Sequence, residues 1–323
     1  MAEALATISE SVALIPRILE RLSQAQGIVL TTHKDPDGDG LSCALAMQIL
    51  LRSKDIASLV VAQKSTARLN FLPGIEQVVD KIPADFRYDT VIALDCGASD
   101  RLAKLDGFSI EQKFVINIDH HMDNGAFGNV NYVVSGAAVG EIIFPFWDAA
   151  GVTLSQEAAT CLYTAVFTDT GGFRYSNTNA YTLTVAEACL KAGAPIAEIA
   201  LRTLGSKSLA EYQVLQEALN NLTVLADGKL VFTVVDADRF GDASRDAIDF
   251  IRDLDTSEVA LVFRTYASEK KIKINFRSKR YFNVQAVAKL FGGGGHVRAS
   301  GAEVAGLLDE IKPKILDEVI KRL

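Results

Sequence analysis

Mostly apolar runs alternate with amphipathic stretches along the first 170 residues of the chain. Three runs, at 28–30, 90–94 and 114–118, are apolar at nearly every position, which is typical of short strands buried on both faces of a parallel sheet. Around them, apolar residues recur at helical spacing, for example from about 9 to 25 and from about 41 to 52. This alternation predicts an α/β domain built on a Rossmann-like parallel sheet.

The pattern changes from residue 222 onward, where longer strand-like segments replace the short apolar runs. These segments and the helices between them predict a smaller C-terminal α/β domain with a mixed sheet. The strands are expected at 230–235, 259–266 and 272–277, and the helices near 243–253 and 283–291 and after 306. We expect a catalytic domain over 1–193, a helical linker over 194–221, a substrate-binding domain over 222–323, and an active site in the cleft between the two domains.

Composition narrows the class of protein further. At 323 residues, with 49% apolar and 23% charged residues, the chain has the make-up of a soluble two-domain protein. Residues 1–26 resemble an amphipathic helix more than a signal peptide, and no apolar run approaches the roughly 20 residues of a membrane span. The four cysteines are scattered, which indicates neither a zinc ribbon nor a disulfide framework. We therefore expect a cytoplasmic protein with no membrane contact.

Charge argues against a protein that coats long nucleic acids, because the net charge is −7. The distribution is uneven, however: nine basic residues and one acidic residue lie between Arg264 and Arg298. A charge run of this kind is often only a solvated strand face. Here it lies directly before a glycine cluster, which favours a local anion-binding role.

All four histidines of the chain lie inside unusual motifs rather than at ordinary surface or core positions. His33 shares a loop with Asp37 and Asp39 after the first apolar run, and Asp95 follows the second run. The remaining members of the set are Asp119, His120 and His121 after the third run, and Asp169 in a Thr-Asp-Thr-Gly-Gly turn. Because ligands bind outside the carboxyl ends of parallel strands, we expect the clusters that follow the three runs to converge in one crevice.

Blander interpretations exist for single members of this set. Pro36-Asp37-Gly38 is ordinary turn chemistry, Asp95 could cap a helix, and Asp169 could be a cap or turn residue. Together, however, imidazoles and carboxylates without clustered thiolates suit Mn²⁺, Mg²⁺, Co²⁺ or Fe²⁺ better than a structural zinc. The ligands are too many for one ion, and two ions that share a carboxylate are typical of phosphoester hydrolysis.

The C-terminal glycine cluster indicates a different kind of site. Because Gly292 to Gly295 have no side chains, a ligand can approach their backbone amides closely. We interpret the cluster as a phosphate or nucleotide subsite, with a flexible glycine loop as the alternative. The candidate substrate-binding residues are Arg277, Ser278, Gly293, Gly294, Gly295, His296 and Ser300.

The order and spacing of these motifs across the whole chain resemble the DHH phosphoesterase family. The matching segments are His33-Lys-Asp-Pro-Asp37-Gly-Asp39, Asp95-Cys-Gly, Asp119-His120-His121 and Thr168-Asp169-Thr-Gly. The closing Gly293-Gly-Gly-His296-Val-Arg-Ala-Ser300-Gly is similar to the DHH-associated C-terminal domain. Within the family, the length and closing motif are most similar to the bifunctional oligoribonuclease and PAP phosphatase group, or nanoRNases.

This resemblance implies a site with two divalent ions, most often Mn²⁺, with Mg²⁺ or Co²⁺ as alternatives. One ion would take His33, Asp37 and Asp95. The other would take Asp39, Asp95, His120 and Asp169, so that Asp95 bridges. His121 would contact the scissile phosphate, Asp119 would orient a histidine, and Arg277, Ser278 and His296 would hold a substrate phosphate or base.

Two departures from the family pattern lie close to these motifs. The family often has Gly-Ser where this chain has Ser42-Cys43, and a threonine where Val139 stands. No metal-ligand position of the pattern is missing.

The expected activity is hydrolysis of very short RNA or DNA oligonucleotides to mononucleotides, extending to 3′-phosphoadenosine 5′-phosphate (PAP). A phosphodiesterase for cyclic dinucleotides or their linear products is the nearest alternative. A nucleotide-binding sensor without turnover is the alternative from another class, although no ligand position is lost. Assembly into a homodimer is compatible with the sequence.

Overall fold

The computed structural model describes residues 6–63 and 67–323, and it divides into two compact units between Ser206 and Lys207. Positions 1–5 of the predicted N-terminal helix lie outside the described residues. The elements of the first unit are β1 Ala6–Thr7, α1 Ile8–Ser11, α2 Ile15–Ser23, β2 Ile28–Thr31, α3 Gly38–Arg52, β3 Ser58–Val60, β4 Thr90–Leu94, β5 Phe114–Asp119, β6 Val130–Ser135, α4 Val139–Ile143, α5 Pro145–Ala149, α6 Gln156–Asp169, α7 Ala180–Lys191 and α8 Ile196–Ala200.

The first unit is built on a parallel sheet in the order β3-β2-β4-β5-β6, extended at the β6 edge by the two-residue β1. The residues of β2 and β4 are all buried, as expected of strands covered on both faces. The chain order reverses beside β2, because β3 lies on one side of it and β4 on the other. This is the kind of switch point at which open α/β sheets bind ligands.

Helix α3 brings the first acidic loop close to the sheet. Its N-cap Asp37 accepts hydrogen bonds from the amides of Asp39 and Gly40, at 3.1 Å each, which satisfies donors that the first turn leaves unpaired. A Cβ at Gly40 would lie 2.1 Å from Thr32 Oγ1. Only glycine therefore lets the start of α3 pack this closely on the end of β2.

The second unit continues with α9 Leu209–Asn220, β7 Thr223–Leu225, β8 Leu230–Asp236, α10 Ala237–Phe240, α11 Ala247–Ile251, β9 Val259–Tyr266, β10 Lys271–Ser278, α12 Val284–Leu290, β11 Gly294–Gly295, β12 Ala299–Ala305 and α13 Leu308–Ile320. Its sheet has the order β11-β12-β10-β9-β8-β7. The β8–β9 pair is parallel and the other pairs are antiparallel, so the predicted mixed sheet is confirmed.

Two separate cores cover the faces of the second sheet. Val214 and Ala218 of α9 join one core with α11, β8 and β9. Helices α12 and α13 join the other, which contains Phe263 and Phe276. The predicted fold class is thus confirmed in both units. Among the described residues, none of the helices is both long enough and apolar enough to span a bilayer.

Candidate metal centre

Three neighbouring strands deliver the predicted clusters to one edge of the first sheet. Strand β4 pairs with β2 on one side and with β5 on the other. Parallel strands end at the same edge, so the residues that follow β2, β4 and β5 meet there. The structure brings the clusters of His33, Asp95 and His120 together, as the sequence predicts.

Asp95 lies at the centre of this arrangement. Its Oδ2 is 3.6 Å from His33 Nε2, and its Oδ1 is 3.5 Å from His120 Nε2 and 3.6 Å from His121 Nδ1. The side chain is buried, and Oδ1 accepts no hydrogen bond from the residues that the structure describes. A buried carboxylate oxygen without a hydrogen bond is costly, and a bound cation would remove that cost.

The backbone of Asp95 is held in an unusual conformation, with φ at +53°. L-residues rarely adopt this left-handed region, and such strain concentrates at functional sites. Burial would raise the pKa of Asp95, but the neighbouring rings of His120 and His33 and the charge of His121 hold it well below its usual range. Asp95 therefore remains ionised among the histidines.

Backbone carbonyls fix which nitrogen of two histidines faces the acidic cluster. His33 Nδ1 lies 2.7 Å from Lys34 O, and His120 Nδ1 lies 3.1 Å from Gly136 O. A carbonyl can only accept, so Nδ1 carries the proton in both rings and Nε2 faces the carboxylates. Histidines that ligate metals are held in this way in many proteins.

Two of the groups of candidate ligand atoms in this geometry match the predicted metal positions. Position A is formed by His33, Asp37 and Asp95, and position B by Asp39, His120 and Asp169. Within each set the candidate ligand atoms lie within 4.8 Å of one another. Mixed imidazole and carboxylate donors around a buried oxygen without a hydrogen bond fit a divalent ion.

The two carboxylates of position B have raised pKa values. Burial and the charges of Asp95 and Asp169 raise the pKa of Asp39 well above its usual range. Burial and the charge of Asp95 raise the pKa of Asp169 to about 7. Acidic groups crowded in this way are stabilised as anions by a cation, and such shifts cluster at functional sites.

A hydrogen-bond relay supports His121 beside the two positions. Asp119 is fully buried and its Oδ1 lies 2.7 Å from His121 Nδ1. Asn124 Nδ2 donates to Asp119 Oδ2 and, at 2.8 Å, to Asn117 Oδ1. Burial would raise the pKa of Asp119, but its hydrogen bond with His121 lowers it. Asp119 is therefore an anion that orients His121.

Asp37 is both a helix-capping residue, as the turn interpretation expects, and a candidate metal ligand. One carboxylate oxygen caps α3, while the other lies 3.6 Å from His33 Nε2. Capping fixes the side chain in place and leaves the second oxygen directed at position A.

The predicted substrate-binding residues all belong to the second unit. Arg277 and Ser278 end β10, and Ser278 Oγ donates to Phe282 O at 2.6 Å. Ser300 Oγ donates to His296 O at 2.7 Å. Both hydroxyls are buried and hold the local backbone.

The glycine cluster forms regular structure rather than an irregular loop. Gly294 and Gly295 pair with Gly301 and Ser300 of β12, and a Cβ at Gly293 would lie 2.2 Å from Gly301 O. Gly293 is therefore required by close strand packing.

The basic stretch before this cluster is partly neutralised within the second unit. Lys273 Nζ lies 3.4 Å from Glu303, and Lys271 pairs with Glu269. For these two lysines the interpretation as a solvated strand face holds.

Sequence reasoning assigned no role to several residues of the centre. Asn124 supports Asp119, and Glu141 and Asn177 support the loop that follows β6. Glu141 could have been noticed as a charge within an apolar run. Asn124 and Asn177 follow no pattern, because only the folded chain brings them to the site.

Comparison with known proteins agrees with this architecture. Residues 27–166 match the DHH family, N-terminal domain, and residues 227–323 match the DHHA1 domain. A bifunctional oligoribonuclease and PAP phosphatase NrnA from Thermus thermophilus is 33% identical over 95% of this chain and 93% of its own length. The chain belongs to the DHH family. The predicted resemblance and the assignment as a DHH-family phosphoesterase are confirmed.

Other relatives of this DHH-family chain carry related names. A probable bifunctional oligoribonuclease and PAP phosphatase NrnA from Streptococcus mutans is 28% identical over 90% of this chain and 94% of its own length. The crystal structure of an exopolyphosphatase-related protein from Bacteroides fragilis superposes with a TM-score of 0.83, covering 99% of this chain and 98% of that protein at 22% identity. At that identity the likeness concerns the fold alone.

Proposed function

We propose that this DHH-family enzyme is a two-metal phosphoesterase that hydrolyses very short oligonucleotides to mononucleotides. The observation that carries the proposal is that two ligand sets meet beside Asp95. Asp95 belongs to the first set, and its Oδ1, which is buried without a hydrogen bond from the described residues, lies 3.5 Å from His120 Nε2 of the second. Oxygen and imidazole donors of this kind favour Mn²⁺, with Mg²⁺ or Co²⁺ as alternatives.

The two ions would be held by the sets already described. His33, Asp37 and Asp95 would hold one ion, and Asp39, His120 and Asp169 the other, with Asp95 shared between them. When bound, the ions would lower the pKa of a water molecule and neutralise charge on the phosphoryl group.

His121 would hold the scissile phosphate. Burial by itself would lower the pKa of His121. The hydrogen bond and the charge of Asp119 raise this pKa by more than burial lowers it, so it lies above the ordinary value for histidine. A protonated ring can donate Nε2–H to a phosphoryl oxygen or supply a proton to the leaving oxygen. Asp119 keeps the ring in the required orientation through Nδ1.

The second unit would recognise the nucleotide. Arg277 and His296 offer donors for a phosphate or base, and the backbone at Gly293–295 has no side chain between it and a ligand. The buried Ser278 and Ser300 would position these groups. A local subsite of this kind on an acidic protein suits a dinucleotide or PAP better than a long strand, and the names of the two NrnA relatives agree with that choice. We also propose a cytoplasmic location for this enzyme.

A substrate panel tests the proposal. The protein is stripped with a chelator, reloaded with Mn²⁺, and supplied in parallel with a 5′-phosphorylated diadenylate, PAP, a cyclic dinucleotide and a 20-nucleotide RNA. We expect release of AMP from the diadenylate and from PAP, and much slower cleavage of the other two. Asp95→Asn should reduce the rate by about 100-fold or more, because a shared ligand is lost.

The other outcomes each contradict the proposal in a different way. Preferred cleavage of the cyclic dinucleotide would make the chain a signalling phosphodiesterase. Tight nucleotide binding without turnover under any divalent ion would make it a sensor.

A further inference from the structure

Segment 136–141 comprises the connection after β6 and the first turn of α4. It contacts the surroundings of all three ligands of position B. Its residues are distant in sequence from most of those ligands, and none of them belongs to either ligand set. We propose that this segment, clamped by Glu141, is the positioning element for position B alone. The inference rests on the two-metal site proposed above.

The first contact is with Asp39. The amides of Val139 and Gly140 donate to the two oxygens of the Asp39 carboxylate, at 2.7 Å and 3.1 Å. These bonds fix the rotation of a fully buried carboxylate. Since they are backbone bonds, the replacement of the usual threonine by Val139 leaves them in place.

The second and third contacts are with His120 and Asp169. Gly136 O accepts from His120 Nδ1 at 3.1 Å and so directs Nε2 towards position B. Asn177 Nδ2 donates to Ala137 O at 3.0 Å and to Asp169 O at 3.2 Å. Asn177 therefore ties the segment to the backbone of the third ligand.

Glu141 holds the segment in this shape. It is fully buried, its Oε1 accepts from the Ala137 amide at 2.6 Å, and its Oε2 accepts from Thr182 Oγ1 at 2.8 Å. Thr182 belongs to the capping box of α7, so the clamp joins the segment to a rigid helix end. With both oxygens engaged in this way, Glu141 acts through the segment and not as a ligand.

Position A is held by different groups. His33 is oriented by Lys34 O, and Asp37 is held by the amides of Asp39 and Gly40. All of these contacts lie within one loop and the first turn of α3. Loosening segment 136–141 should therefore weaken the ion at position B and leave the ion at position A in place.

The test measures Mn²⁺ binding rather than turnover. Titration calorimetry and bound-metal analysis give the number and affinity of ions, and electron paramagnetic resonance distinguishes spin-coupled from isolated Mn²⁺. We expect two ions in the unsubstituted protein. Glu141→Ala should weaken one of them by about 10- to 100-fold, as removal of groups that orient ligands commonly does, and should convert the coupled signal into an isolated one.

Two further variants keep the inference testable if Glu141→Ala does not fold. They also test whether segment 136–141 needs a hydrogen-bond acceptor at position 141. Asn177→Ala removes an exposed side chain and should weaken the same ion by about tenfold. Glu141→Gln keeps an acceptor for the Ala137 amide, so it should recover most of the lost affinity. Glu211→Ala is the matched control: Glu211 is a buried carboxylate that accepts from a helix-capping amide in the second unit, and both ions should remain.

His33→Gln identifies which position is affected. In that background one ion should remain at position B, and adding Glu141→Ala or Asn177→Ala should remove it. Variants of the segment that bind two ions with unchanged affinity, or that lose both ions equally, would overturn the inference alone. Fewer than two ions in the unsubstituted protein would overturn the two-metal proposal and this inference with it.

Discussion

At the scale of single residues, the centre depends on which atom of each side chain faces inward. His33 and His120 each direct Nε2 inward because a backbone carbonyl takes Nδ1. His121 differs, since its Nδ1 lies against Asp119 and its Nε2 is on the far side of the ring. We therefore propose two distinct tasks for these three histidines: ligation for His33 and His120, and contact with the substrate for His121.

Asp119→Asn tests the task assigned to His121. The substitution removes the negative charge that raises the pKa of His121, so that pKa should fall. We expect kcat to fall by roughly 100- to 10,000-fold while two Mn²⁺ ions still bind.

The pH profile separates this role from a purely structural one. A group that acts in its protonated form loses activity as pH rises through its pKa. With the pKa lowered, the alkaline limb of the pH–rate profile should therefore move to lower pH. An unchanged limb would mean that His121 does not act as the proton-bearing group.

At the scale of elements, close packing at the start of α3 positions both ligand sets. Asp37 and Asp39 lie in its cap and first turn, and α3 approaches β2 where Gly40 meets Thr32. Helix propensity alone favours alanine over glycine by about 1 kcal/mol. At position 40 the close contact with Thr32 requires glycine in spite of this preference.

Gly40→Ala should therefore destabilise the protein rather than stabilise it. The new Cβ would lie 2.1 Å from Thr32 Oγ1, and overpacking of this kind typically costs about 1–3 kcal/mol. Denaturant unfolding measures the change, and Mn²⁺ affinity should fall with it because α3 carries Asp37 and Asp39. Adding Thr32→Ala removes the clashing hydroxyl and should restore part of the stability. A stabilised single variant would show that α3 shifts without cost.

At the scale of the whole molecule, the ligands of the proposed ions belong to the first unit, while the second has its own sheet and cores. The carboxylates of position B crowd one another, as the raised pKa values of Asp39 and Asp169 indicate. Metal binding should therefore stabilise one unit selectively.

Hydrogen exchange with and without Mn²⁺ tests this expectation. An ion present at 100 times its dissociation constant stabilises the folded state by about 2.7 kcal/mol. Chelation should accelerate amide exchange at the ends of β2, β4 and β5 and in the first turn of α3. Exchange in β9 and β10 should change little. Equal acceleration in both units would contradict a metal site confined to the first.

The sequence by itself predicted the fold class and the strand-end positions of the candidate ligands. Apolar runs that end in His33, Asp95 and Asp119 predict parallel strands with chemistry at their carboxyl ends, since strand period and burial are local properties of the chain. Only the tertiary structure decided that Asp95 Oδ1 is buried without a hydrogen bond from the described residues, that the histidine paired with Asp119 is His121, and that segment 136–141 supports Asp39 from about a hundred residues away. Those relations depend on packing between distant segments, and hydrogen bonds of this kind leave no periodic trace in the sequence.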